Sequence, residues 1–521
     1  MKKMKKLKKL LALGIALAMT ATVFAGCGNK AAGTDAKDGN TLVYGSQDYT
    51  AINPALYEHG EINLLLFAGL TAHDENDKVV PGMAESWDWD AADNTYTFHI
   101  RDGITWQDGE KFTANDVKFT LEAIMNPDNA SEIASNYEDI TKIEVPDDKT
   151  VKISLKAPNV AMLDYLTIGI LPAHLLEGKD LATDDFNRKP IGTGPYKLVS
   201  WDEGQSITME KFDNYYAGAP KIDKVIFKIV EDTKARAMQL KSGELDMAQV
   251  PPNDAKQFEG NDEFKIYDMK TADYRGILYN FNNDLFKNNR ELPNALSYAI
   301  DRQAIIDSVL LGEGQLAYSP LQAGPYNNPD IEKFDYNPAK AQEMLEAAGW
   351  KKGSDGVYEK NGTRLAFKIN IAEGDQVRVD IANVAAQNLK DIGVDATVSV
   401  NAETDWAGQE TYLIGWGSPF DPDDHTYKVF GTDKGSNYSG YSNPKVDELL
   451  QKARETDNDA QRMEYYKAFQ EELTKDMPYT FIAYVDAIYV AKANIQGITP
   501  DTILGHHGVG IFWNIADWTL N

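Results

Sequence analysis

The sequence predicts an α/β protein of two or three domains, and three observations predict it. Capped amphipathic stretches and alternating strand stretches follow one another through most of the chain, as they do where helices pack on sheets. Two joined units are legible: a helix, a Gly393 turn and a strand from Val377 onward, and a helix stopped by Gly243 within 234–250. Finally, 494 of the 521 residues follow residue 27, more than one hydrophobic core ordinarily serves.

The amino terminus is set apart from this body. Six lysines between Lys2 and Lys9 precede an apolar run from Leu10 to Phe24, shorter than the ~20 residues a membrane-spanning helix needs. The pattern predicts an export signal over 1–26. Cys27 is the only cysteine in the chain, so it forms no intramolecular disulfide, and Phe24-Ala25-Gly26-Cys27 resembles a bacterial lipobox with Phe24 where Leu is usual. Cys27 is therefore expected to carry a lipid and 27–40 to form a flexible tether, since that stretch has no large apolar side chain to bury. The competing reading is an ordinary secreted protein with an incidental Cys27. Without the six lysines the chain keeps 46 basic against 80 acidic residues, a formal net charge of −34, which argues against nucleic acid or anionic lipid as partners of the body.

Within the body, Tyr96, Phe98 and Ile100 alternate as in a half-buried strand, and Thr113 with Asp116 makes a capping-box-like start for Val117, Leu121 and Ile124. Val225, Phe227 and Ile229 alternate less cleanly because Ile226 intervenes. Helices are predicted near 234–242, 293–311, 377–391 and 459–475, with a strand through Val394, Ala396, Val398 and Val400. Asn337-Pro338 and Asn443-Pro444 each place a capping side chain before a proline at the first helical position. The first of these helices stops at Gly349, and the second buries Val446, Leu449, Leu450 and Ala453 on one face.

A series of blocks then carries a family resemblance. Pro81-Gly82-Met83-Ala84-Glu85-Ser86-Trp87 is followed by Tyr96 to Gly109 and by Phe112 to Val117. Gly192-Thr193-Gly194-Pro195-Tyr196, Asp213-Asn214-Tyr215-Tyr216, Ala299-Ile300-Asp301-Arg302, Tyr336-Asn337-Pro338 and Ala348-Gly349-Trp350 come after, in that order. Over nearly the whole mature chain this resembles the family 5 solute-binding proteins that serve peptide and nickel importers. The resemblance implies a two-lobed periplasmic-binding-protein-like fold of type II with an extra subdomain and a two-segment hinge. On that pattern lobe I is 41–81, 190–282 and 492–521, the subdomain 82–189 and lobe II 283–491, with crossings near 282 and 492.

The resemblance also directs attention to Gly415-Trp416-Gly417-Ser418-Pro419-Phe420-Asp421-Pro422, a strand end running into a Gly/Pro-rich turn. Peptide-binding members hold the ligand's ammonium with an acid just after the equivalent Trp. Here Pro419 stands third after Trp416 and the first acid is Asp421, a departure that looks more like the nickel-importer branch. Trp416 is the leading candidate for a ligand contact, against a core tryptophan, with Phe420 beside it; Asp421 is either an ammonium partner or part of an acidic turn with Asp423 and Asp424. Arg101 at a strand end could fork onto a carboxylate or serve a structural ion pair, and Trp106 could approach the cleft or serve its turn. His506 and His507, in a chain with seven histidines, would point apart on a strand so that one faces the cleft; His59 is a weaker candidate of the same kind. For a nickel chelate, His506, His507 and His425 are the candidate ligands.

The function expected is capture of a short peptide outside the membrane, as a monomer, for delivery to the transmembrane subunits of an ABC permease. No cofactor is implied. A nickel chelate is the alternative ligand, and a surface hydrolase or chaperone-like protein the alternative class. H-E-x-x-H, G-x-S-x-G and the P-loop pattern are all missing, and a hydrolase built from Asp421, Asp423, His425 and His506 has no ligand spacing to support it.

Overall fold

The computed structural model describes residues 40–57 and 60–521; the export segment, Cys27, the tether up to residue 39 and His59 lie outside the described residues. Among the described residues, no helix is long and apolar enough to cross a membrane. Local capping decides where the main helices begin. The Asn443 side chain accepts from the backbone N–H groups of Lys445 and Val446 and opens Pro444–Glu455, which buries Val446, Leu449, Leu450 and Ala453. Asn337 accepts from the Lys340 N–H to open Pro338–Ala347, and Asp116 reaches back to accept from the Thr113 N–H at 2.8 Å and start Ala114–Met125. The helix expected over 293–311 is instead two, Leu292–Ser297 and Arg302–Ser308. Asp301 makes a fresh N-cap to Ala304, and the Arg302 guanidinium turns inward to donate to the carbonyls of Ser297, Phe334 and Phe481.

Three sheets carry the architecture. A seven-stranded sheet runs in the order Phe264–Met269, Ala487–Lys492, Met247–Gln249, Thr41–Ser46, Lys224–Ile229, Ser206–Lys211 and Tyr196–Asp202. A six-stranded sheet runs Gln315–Leu316, Tyr479–Tyr484, Tyr274–Tyr279, Thr411–Trp416, Ala366–Ala372 and Asp395–Asn401. The four-stranded sheet Ala84–Asp90, Thr95–Ile100, Thr150–Leu155 and Ile140–Asp147 lies with helix Ala114–Met125 in the stretch 82–189 expected to be the subdomain.

Burial follows the same division into two lobes. Phe98, Leu121 and Ile153 of the subdomain share one apolar core with Tyr44, Met209 and Phe227 of the seven-stranded lobe. Ile277, Ile369, Leu413 and Phe481 belong to a separate core under the six-stranded sheet. Strand Tyr274–Tyr279 pairs with Thr411–Trp416 and Tyr479–Tyr484, so it belongs to the second lobe; Ala487–Lys492 pairs with strands of the first. The chain therefore crosses between the lobes at 270–273 and 485–486, rather than near 282 and 492. Both strands are buried along almost their whole length, and a run buried on both faces carries no alternation to announce which sheet it joins.

Candidate functional site

The two crossing segments are stitched together. Thr271 Oγ1 donates to the Val485 carbonyl at 2.6 Å, and the Val485 N–H donates to the Asp273 carbonyl at 3.0 Å. A third segment lies against them: the Ala272 N–H donates to the Leu504 carbonyl, and the His506 N–H reaches the Gly417 carbonyl at 3.0 Å. The turn after Trp416, the hinge and the His506-His507 loop thus meet at one point between the lobes. The approach is close enough to demand glycine. A Cβ on Gly417 would lie 2.0 Å from the Ala272 carbonyl oxygen, and one on Gly415 would lie 2.2 Å from Nη1 of Arg275.

Charged groups converge there. Asp273, 1% exposed, accepts from the Arg275 guanidinium, pairs with His506 Nδ1 at 2.7 Å and accepts from the His507 N–H at 3.1 Å. Burial opposes its charge, but Arg275 and His506 outweigh that and hold its carboxyl well below the usual range. Arg378, 8% exposed on the first turn of helix Gln376–Ile392, adds a second guanidinium. Its Nε meets Asp375 as an ion pair at 3.1 Å, while its Nη2 has no hydrogen-bond partner. Burial, and then the neighbouring Arg275, pull its pKa down, the mark of a cation with less compensation than it needs. His507 is reachable by solvent and yet hemmed in by protein, as a side chain on a cleft wall is. Desolvation by that surrounding protein, then the charges of His506 and Arg275, push its pKa well below the ordinary value and keep the imidazole neutral.

This constellation can clamp an anionic group between guanidiniums and offer imidazole nitrogen beside it. Among the described residues, the carboxylates gathered closely enough for a cation are Asp268, Glu313 and Asp486, and Lys270 Nζ already sits 2.9 and 2.7 Å from Asp268 and Asp486.

The middle region of the bacterial extracellular solute-binding proteins, family 5, matches residues 78–438. The chain belongs to that family. Oligopeptide-binding protein AppA of Bacillus subtilis (strain 168) is 31% identical over 99% of this chain and 100% of its own length. Among solved structures, NikZ from Campylobacter jejuni in complex with Ni(L-His) superposes with a TM-score of 0.86 at 38% identity, covering 92% of this chain and 99% of that one. The ABC transporter substrate-binding protein CtaP from Listeria monocytogenes follows with a TM-score of 0.77 at 28% identity, over 93% and 100% of the two chains. The chain shares its fold with both structures along nearly its whole length.

Against this family-5 frame the sequence candidates fall into distinct places. Trp416 ends its strand at the hinge, paired with Tyr274 and 7% exposed, its ring against Tyr438 and His425. Phe420 is 38% exposed and stacks on His73 of the other lobe at 3.8 Å. Both Asp421 oxygens accept from Arg462, at 2.6 Å each. Arg101 donates to the Gly82 carbonyl within the subdomain, and Trp106 is buried there against Phe112 and His174. His425, 8% exposed, lies beside Asp424. His506 and His507 do not point apart as on a strand: they form a short 3-10 turn with His507 at φ 58°, which brings their rings to 3.9 Å. Asp273, Arg275 and Arg378 went unnoticed in the sequence. Asp273 and Arg275 flank Tyr274 in an otherwise apolar strand, and that charged pair inside a buried run was the available signal.

Proposed function

We propose that this family-5 protein is the solute-capturing component of an ABC importer, and that its ligand is a small solute bearing a carboxylate, a short peptide in the first instance. Arg378 carries the reading: a buried guanidinium with an unpartnered Nη2, beside Arg275, at the junction of two lobes. A peptide carboxylate supplies the missing charge and hydrogen bonds. The name of AppA, an oligopeptide-binding protein, supports the peptide, and that of CtaP supports the importer. Export by residues 1–26, anchoring through a lipid on Cys27 and monomeric action belong to the same proposal, on the sequence pattern alone.

A second ligand, a nickel chelate of an amino acid, is favoured by a separate observation. Two imidazoles, one held neutral, stand beside the guanidiniums, while the acids that would hold a peptide ammonium are already engaged, Asp421 by Arg462 and Asp423 by Arg454. NikZ, a structural relative, is in complex with such a ligand, Ni(L-His).

Thermal shift against di- to hexapeptides, and against nickel with and without L-histidine, separates the two. A ligand at ~100 times its dissociation constant adds about 2.7 kcal/mol of stability. A shift with peptides alone supports the first ligand and a shift needing metal and histidine together supports the second; silence with all of them overturns both. Mass spectrometry of the recovered ligand tests whether capture leaves it chemically unchanged.

A further inference from the structure

Away from the hinge, the inserted subdomain meets the second lobe along a seam of charged groups. Arg454, 1% exposed, donates from Nη2 to Asp423 of its own lobe at 2.7 Å and from Nη1 to Asp139 of the subdomain at 2.9 Å. The Tyr165 hydroxyl, again from the subdomain, donates to Asp423 at 2.5 Å, and the Val160 N–H donates to the Arg454 carbonyl at 3.0 Å. At the rim, Asn136 donates to Asp424 at 3.1 Å and Lys434 to Glu138 at 2.6 Å.

We propose that this seam is the latch of the closed state: the subdomain rides with the seven-stranded lobe, and Arg454 locks it to the other. Three observations carry the inference. The subdomain shares its apolar core with the seven-stranded lobe, whereas Tyr137 and Tyr165 on one side of the seam and Tyr427 and Phe430 on the other belong to different cores. Hydrogen bonds and ion pairs can be exchanged for water when the seam parts; a shared apolar core cannot. Next, each half stays compensated on its own. Arg454 keeps Asp423, while Asp139 keeps Lys156 at 2.7 Å and Asn159 at 3.0 Å, so opening strands no buried charge. Finally, the two crossings at 270–273 and 485–486 let the second lobe move against everything else. Part of the closing free energy is then protein to protein, independent of which solute is held.

The test uses the apo protein and so does not depend on the ligand. In a Cys27→Ser background, cysteines replace the exposed Lys142 of the subdomain and Lys445 of the second lobe, and spin labels on them report the distance between the two. The parent protein should show a short-distance population. Asp139→Asn and Arg454→Met should each deplete it in favour of longer distances, and the double variant should deplete it no further than Arg454→Met alone. Because Arg454→Met carries the greater risk of misfolding, Asp139→Asn decides. A distribution unchanged by Asp139→Asn, with or without a lowered melting temperature, would mean a permanent interface and overturn the latch.

Discussion

Arg378 sits in the wall of the hinge site with less compensation than a buried cation needs, which makes it expensive to the fold and useful to a ligand. Arg378→Met should therefore raise the melting temperature while weakening a carboxylate ligand by about 1.5–3 kcal/mol, roughly 10- to 150-fold, read by calorimetry. Glu61 makes a different prediction. Burial pushes its carboxyl up to about 7 from 4.5, although the hydroxyls of Tyr44 and Tyr489 donate to it and pull the other way. The folded state thus holds a proton between pH 4.5 and about 7 that the unfolded chain has released, so this group's contribution to stability falls as pH rises through that window. Glu61→Gln should gain about 2–3 kcal/mol at pH 8 and little at pH 4.5, measured by urea unfolding at both. At this scale the sequence revealed scarce residue types in unusual settings: Trp416 at a Gly/Pro turn, and His506 next to His507. It hid Arg378, because an arginine on the first turn of a helix reads as solvated until Arg275 and Asp273, about a hundred residues earlier in the chain, are placed beside it.

The elements rest on close approaches that side chains would spoil. Gly417 lets the turn after Trp416 lie against the hinge, and Gly417→Ala should cost at least about 2 kcal/mol and blunt ligand binding in the same protein, by thermal melts and titration. Asn443→Ala removes the acceptor for two N–H groups and should cost about 1 kcal/mol without touching binding, a useful control. Helix starts of this kind were legible because the capping residue, the proline and the apolar period all sit within a few positions of one another. Less local choices were not. The break at Asp301 depends on Arg302 finding carbonyls at Phe334 and Phe481, far along the chain, and the sheet joined by Tyr274–Tyr279 depends on strands more than a hundred residues away.

For the whole molecule, a ligand that engages both lobes should compact the protein, lowering its radius of gyration in X-ray scattering; a bound ligand that leaves it unchanged would place the site on one lobe alone. The order of the strands bears on a different matter, how the molecule is assembled in time. The second lobe's sheet is completed by Tyr479–Tyr484 from a single continuous stretch of chain. The first lobe's sheet keeps a vacancy between Phe264–Met269 and Met247–Gln249 until Ala487–Lys492 arrives, after the whole of the second lobe's sheet has been made. A chain emerging from its amino end must therefore carry two open strand edges from Met269 until Ala487 is made, and the lobe it begins first is the one it finishes last.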